Sequence, residues 1–168
     1  MELYELVNGY HIGTDVSCAE SMFKACNEYY RLGLSEETRK MFSVMGSGMQ
    51  SGTSCCGAFT VAVGMIGLMT AQEGQTDCDN MQGYEMICEL TDRVDRRFGS
   101  LGCPILRGLR VYQYEDPCYL VVEEIAKMLE SILRETASRR RIWKAPSDRS
   151  DGAFSRMDVP VTAQEPPV

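Results

Sequence analysis

Four cysteines stand where the sequence predicts that a helix begins, and this feature constrains the fold more than any other. They are Cys18, Cys56, Cys103 and Cys118. Ser17 and Glu20 form a capping box around the first of them, and Pro104 and Pro117 are typical first-turn residues beside the last two. A helix N-terminus carries partial positive charge and free N–H groups, which lower the pKa of a nearby thiol. We therefore expect thiolate chemistry here, although four buried small hydrophobic residues are the alternative.

The composition limits which metal sites the chain can form and indicates its cellular compartment. The 168 residues include eight cysteines but only one histidine, His11, which excludes metal sites built on several histidines. That histidine could serve as a single metal ligand or a base, but we expect it to lie at the surface or in a loop. The net charge of −7 argues against nucleic-acid binding. No leader-like segment opens the chain, and the apolar run 58–71 is too short for a membrane span. The sequence predicts a cytoplasmic protein whose cysteines are reduced.

Hydrophobic periodicity predicts an all-α fold, a compact bundle of about five to six helices. The predicted helices cover residues 17–32, 36–45, 55–70, 79–98 and 117–137, with a short helical face over 1–10 and a turn over 103–109. Residues 111–114 favour a strand but have no partner. These elements form one predicted helical, cysteine-rich redox domain, 1–137. Residues 138–168 are rich in Pro, Ser and charged residues, which predicts a disordered tail.

A glycine-rich loop, residues 46–54, precedes the predicted central helix. It contains Gly46, Gly48 and Gly52, and Gly57 follows at the helix start. Such a loop lets the backbone approach a bound group closely and offers N–H donors to it, so we predict these four glycines to be cofactor-binding. No Gly-Lys-Ser/Thr follows, which excludes a nucleotide-binding P-loop. The small residues of the central helix predict close packing, within one chain or across a homodimer.

The order of the motifs resembles a known family. Cys-Ala-Glu-Ser begins at Cys18, the glycine-rich loop leads to Cys-Gly-Ala at Cys56, Phe-Gly-Ser-Leu-Gly-Cys ends at Cys103, and Cys118 follows. This pattern is similar to the C_GCAxxG_C_C family of redox-active proteins over roughly residues 3–133. One motif glycine of the family is replaced by Val61. The resemblance implies a redox-active or metal-binding role for the thiols.

Three functions are compatible with these cysteines. In the first, Cys18, Cys56, Cys103 and Cys118 are ligands of an iron–sulfur cluster that transfers electrons. Zinc is a weaker option, because the sequence lacks the paired Cys-x-x-Cys typical of structural zinc sites. In the second, Cys56 is the attacking thiolate of a metal-free thiol–disulfide oxidoreductase and Cys55 its vicinal partner. In the third, the thiols only sense redox state in an interaction protein.

The first two functions require a redox partner protein or a small-molecule electron donor or acceptor.

The other cysteines are predicted to lie in different parts of the fold. Cys26 and Cys88 lie within predicted helices on apolar faces, so we expect them in the core. Cys78 lies in a polar linker.

Overall fold

The computed structural model describes residues 1–76, 79–109 and 115–140, with side chains up to residue 137. Its helices are α1 (Leu3–His11), α2 (Cys18–Tyr29), α3 (Glu36–Ser43), α4 (Gly57–Thr70), α5 (Met81–Phe98), α6 (Cys103–Arg107) and α7 (Pro117–Arg140). Across these described ranges the chain forms no β-strand, and a single antiparallel bridge joins Cys55 to Gly102. The predicted all-α class is confirmed.

Side-chain caps explain why several helices begin where they do. The Ser17 hydroxyl accepts a hydrogen bond from the Glu20 N–H at the start of α2, as the capping box predicts. Ser35 caps α3 in the same way, and the Asn80 side chain accepts from the Gly83 N–H at the start of α5. Each cap satisfies an N–H group that the helix itself leaves unpaired.

The largest differences between predicted and observed helix limits, three residues each, are at the ends of α2 and α7. Helix α2 ends at Tyr29, before the predicted end at Leu32, because Arg31 already takes a left-handed conformation with φ of 51°. Helix α7 continues to Arg140, three residues into the predicted tail. The other tail residues, 141–168, lie outside the described ranges, as do the predicted strand 111–114 and Cys78.

The core is formed where α2, α4 and α7 meet, with α1 and α5 packed around them. Its largest fully buried side chains include Met22, Phe23, Met65, Ile125 and Leu129. Ala58 and Ala62 of α4 are also fully buried, so the small residues of this helix allow close packing within the chain. None of the helices in the described ranges is both long and apolar enough to cross a lipid bilayer.

Candidate functional site

The four predicted cysteines line one cavity of about 120 Å³. Cys18 begins α2, Cys56 immediately precedes α4, Cys103 begins α6, and Cys118 is the second residue of α7. The fold therefore brings four helix starts to one place. Other residues in the cavity wall include His11, Ser17, Ser47, Arg107 and Asp116. A cavity of ~150 Å³ holds a benzene-sized molecule, so there is room here for a small bound group.

Backbone hydrogen bonds fix two of the cysteines relative to each other. The Cys56 N–H donates to the Leu101 carbonyl at 2.9 Å, and the Cys103 N–H donates to the Ser54 carbonyl at 2.9 Å. These two bonds flank the bridge between Cys55 and Gly102. The start of α4 and the start of α6 are thus tied together at the main chain, and their relative position does not depend on a ligand.

Three of the four predicted cofactor-binding glycines make close contacts within the protein. A Cβ on Gly48 would lie 2.9 Å from the Cys103 Cβ, and one on Gly46 would lie 2.8 Å from the Ser17 Cβ. At Gly57 it would lie only 2.4 Å from the Met45 carbonyl oxygen. At these glycines the loop packs directly against the starts of α2, α4 and α6. Gly52 meets nothing within 4 Å but has a φ of +71°. Contact of the four glycines with a cofactor stays a prediction.

The loop reaches the cavity through Ser47, in a strained stretch of backbone. Four consecutive residues, 47–50, have positive φ angles of 50°, 63°, 58° and 59°. Only the second is glycine, and each L-residue in this conformation costs roughly 1–2 kcal/mol. Strain of this kind is concentrated at functional sites, where contacts with the surrounding structure hold the backbone in its strained conformation.

The pKa values of three cavity thiols, Cys56, Cys103 and Cys118, are raised, so the lowering that the sequence predicts for helix-start thiols is wrong for these three. Burial raises the pKa of Cys56 to about 12, with a further contribution from the charge of Cys18. Burial and the charge of Cys18 also raise the pKa of Cys103, and burial followed by Asp116 raises that of Cys118. Desolvation outweighs the helix effect at these three cysteines because burial penalises the charged thiolate form.

Two features of the site, the first turn of α4 and Arg107, lower the pKa of cavity thiols. The N–H groups of Ala58 and Phe59, in the first turn of α4, lower the pKa of Cys56, and the Arg107 guanidinium lowers that of Cys103. The helix-start effect expected from the sequence is therefore present but smaller than the cost of burial. At neutral pH these thiols are protonated, and a metal that binds them must displace their protons.

The cavity fits a thiolate-bound metal by its donors, although the donors are not yet gathered around one point. Cys18, Cys56, Cys103 and Cys118 all have free thiols. Within the described ranges no three His, Cys, Asp or Glu side chains are grouped closely enough to hold a metal ion as they stand. Metal binding would therefore require the thiols to rotate inward, which a cysteine does about a single side-chain torsion.

The remaining described cysteines lie away from the cavity. Cys26 is fully buried, which confirms its predicted place in the core. Cys88 is exposed, so its predicted core position is wrong. The buried stripe of α5 runs through Met86, Leu90 and Val94, and Cys88 lies between those positions on another face. Cys55 is half-buried and forms no disulfide with Cys56.

His11 lines the cavity, a position that the sequence does not indicate. It was expected in a surface loop, but it is the last residue of α1 and only 9% exposed. Its ring contacts Tyr119 edge to face, with 5.1 Å between ring centroids. Burial lowers its pKa, so the imidazole is neutral near pH 7. No local signal could have found this placement, because it results from the packing of α1 against α7.

A family model described as "Putative redox-active protein (C_GCAxxG_C_C)" matches residues 16–132. This range contains all four cavity cysteines and the glycine-rich loop. Val61, which replaces a motif glycine, is fully buried in the core of α4. No curated protein and no solved structure matches the chain significantly. Because the matched range covers well over half of its length, the chain belongs to the C_GCAxxG_C_C family of redox-active proteins.

Proposed function

We propose that this protein transfers electrons through an iron–sulfur cluster bound by cysteine thiolates in the cavity. The observation that carries the proposal is the convergence of four helix-start cysteines, distant in sequence, on one cavity. Cysteines that only fill the core need not line the same cavity, whereas the ligands of one cluster must. Thiolates are the protein ligands that iron–sulfur clusters require.

The chain's own residues supply three things that such a cluster needs. Cys56 and Cys103 are buried, so their sulfurs would hold the cluster on the side of the cavity away from bulk solvent. The Ala58 and Phe59 N–H groups and the Arg107 guanidinium favour negative charge on the sulfurs. Cys18 and Cys118 are partly exposed, which gives electrons a short path to a partner at the surface. The cluster, when bound, would supply the one-electron chemistry.

The proposal is tested on protein purified without oxygen, or reconstituted with iron and sulfide under the same conditions. We expect protein-bound iron and acid-labile sulfide in equal amounts, and broad visible absorption that bleaches with dithionite. A colourless protein that keeps neither iron nor sulfide after reconstitution would contradict the proposal. If it keeps zinc instead, the cavity is a structural metal site.

A second candidate is metal-free thiol–disulfide exchange. The charge of Cys55 raises the pKa of Cys103, which indicates that the half-buried Cys55 lies near the cavity thiols. In this reaction the Cys56 thiolate attacks a partner disulfide, and Cys55 or Cys103 then displaces the partner as a dithiol, so that two electrons and two protons leave this protein. The discriminating result is a loss of two free thiols on oxidation without any bound metal.

The third candidate, a redox-sensing interaction protein, stays a prediction, as do the cytoplasmic location, the redox partner and the homodimer. Capture of one specific partner in a single redox state, by a protein with no metal and no turnover, would favour the sensing function. The iron analysis separates the first candidate from the other two, and turnover together with partner capture separates the second from the third.

A further inference from the structure

One buried polar atom in the cavity wall has no hydrogen-bond partner among the described residues. It is Nε2 of His11, the only histidine of the chain. The side chain lines the same cavity as the four cysteines and is more than nine-tenths buried. Burying a polar atom without a hydrogen-bond partner is unfavourable, so this nitrogen calls for a partner that the described protein side chains do not supply.

The other ring nitrogen determines the state of this atom. Nδ1 lies 3.0 Å from the carbonyl oxygen of Val16. A carbonyl only accepts hydrogen bonds, so Nδ1 carries the ring proton and Nε2 presents an unprotonated lone pair. The edge-to-face contact with Tyr119 holds the ring in this orientation. The lone pair is therefore available on the edge of the ring that faces away from Val16.

This is the arrangement of a metal-binding histidine. A histidine ligand commonly donates its second ring N–H to a backbone carbonyl or a carboxylate, which fixes the tautomer and the ring orientation. Here the Val16 carbonyl has that role. A lone pair without a proton cannot donate to a cluster sulfide, so hydrogen bonding to the cluster does not explain the arrangement.

We propose that His11 Nε2 is a ligand of the metal centre in this cavity, alongside cysteine thiolates. The inference rests on the proposed iron–sulfur function and changes its ligand set from thiolates alone to thiolates and one imidazole. A cluster takes four protein ligands, so one cavity thiol then stays out of the set. The Asp116 carboxylate accepts a hydrogen bond from the Cys118 backbone N–H at 2.8 Å, and its negative charge beside the Cys118 sulfur makes this thiol the least free to bind as a thiolate.

The test uses the full chain, reconstituted with iron and sulfide and reduced with dithionite, in two isotopic forms. In one form only histidine carries 15N, and because the chain has one histidine every 15N signal belongs to His11. Pulsed EPR of the reduced cluster is expected to show a strong nitrogen coupling in the unlabelled protein that converts to a 15N coupling in the labelled protein. The coupling should be lost in His11→Phe, which keeps an aromatic ring against Tyr119.

The outcomes separate this inference from the function on which it rests. Iron and sulfide bound without a strong 15N coupling would overturn the histidine ligand and leave the cysteine-bound cluster intact. Absence of iron and sulfide from the wild-type protein would overturn both. The labelled wild-type protein alone shows whether His11 is a ligand, so the inference stays testable even if His11→Phe does not fold.

Discussion

The cavity cysteines differ in how far their thiols are from water. Cys56 and Cys103 are buried at the backbone junction of α4 and α6, whereas Cys18 and Cys118 are partly exposed. For Cys56, burial and the helix start act on the pKa in opposite directions, and burial has the larger effect. The sequence revealed the helix start, because caps and prolines are local signals. It did not reveal the burial, which depends on elements far apart in the chain.

Alkylation of the reduced, metal-free protein should reflect these differences. Only the thiolate reacts, so a pKa of about 12 makes the alkylation rate of Cys56 rise about tenfold per pH unit from pH 8 to 11. Iodoacetamide labelling followed by mass spectrometry measures each site, with circular dichroism to confirm that the fold persists. We expect exposed Cys88 to react before Cys56, and Cys26 to react only on unfolding. A Cys56 rate that levels off below pH 9 would mean that the helix start dominates instead.

Helix starts and close glycine contacts build the site at the scale of elements. The capping box and the two helix-start prolines predicted where α2, α6 and α7 begin, and the structure confirms these positions. The sequence predicts that the glycine-rich loop approaches a bound group, and that contact stays a prediction. The structure adds that Gly46, Gly48 and Gly57 also approach neighbouring elements of the protein. A sequence shows that a glycine permits close approach; it does not show what the backbone approaches.

Two glycines of α4 give a matched pair of substitutions. In Gly57→Ala the new Cβ would lie 2.4 Å from the Met45 carbonyl oxygen, whereas in Gly67→Ala it would meet nothing within 4 Å. We expect Gly57→Ala to lower the free energy of unfolding by about 1–3 kcal/mol. Gly67→Ala should raise it by up to about 1 kcal/mol, because alanine favours helices. Urea denaturation of the metal-free proteins measures both, and equal stability of the two variants would contradict the packing described here.

The whole molecule is organised around a site that no single segment contains. The all-α class, most helix positions and the family follow from periodicity, caps and motif order, which are local or sequential features. His11 could not be assigned, because its place depends on α1 packing against α7. The exposure of Cys88 was also missed: Cys88 is two residues from both Met86 and Leu90, which places it on the opposite side of α5 from the buried stripe.

The central claim, that the cavity thiols hold a metal centre, is tested most directly by comparing Cys56→Ala with Cys26→Ala. Both cysteines are buried, but only Cys56 lines the cavity. The measurement is iron and sulfide per chain after anaerobic reconstitution, with circular dichroism to confirm folding. We predict that Cys56→Ala loses most of its iron and that Cys26→Ala keeps the wild-type amount. A folded Cys56→Ala protein with wild-type iron and sulfide would contradict the account.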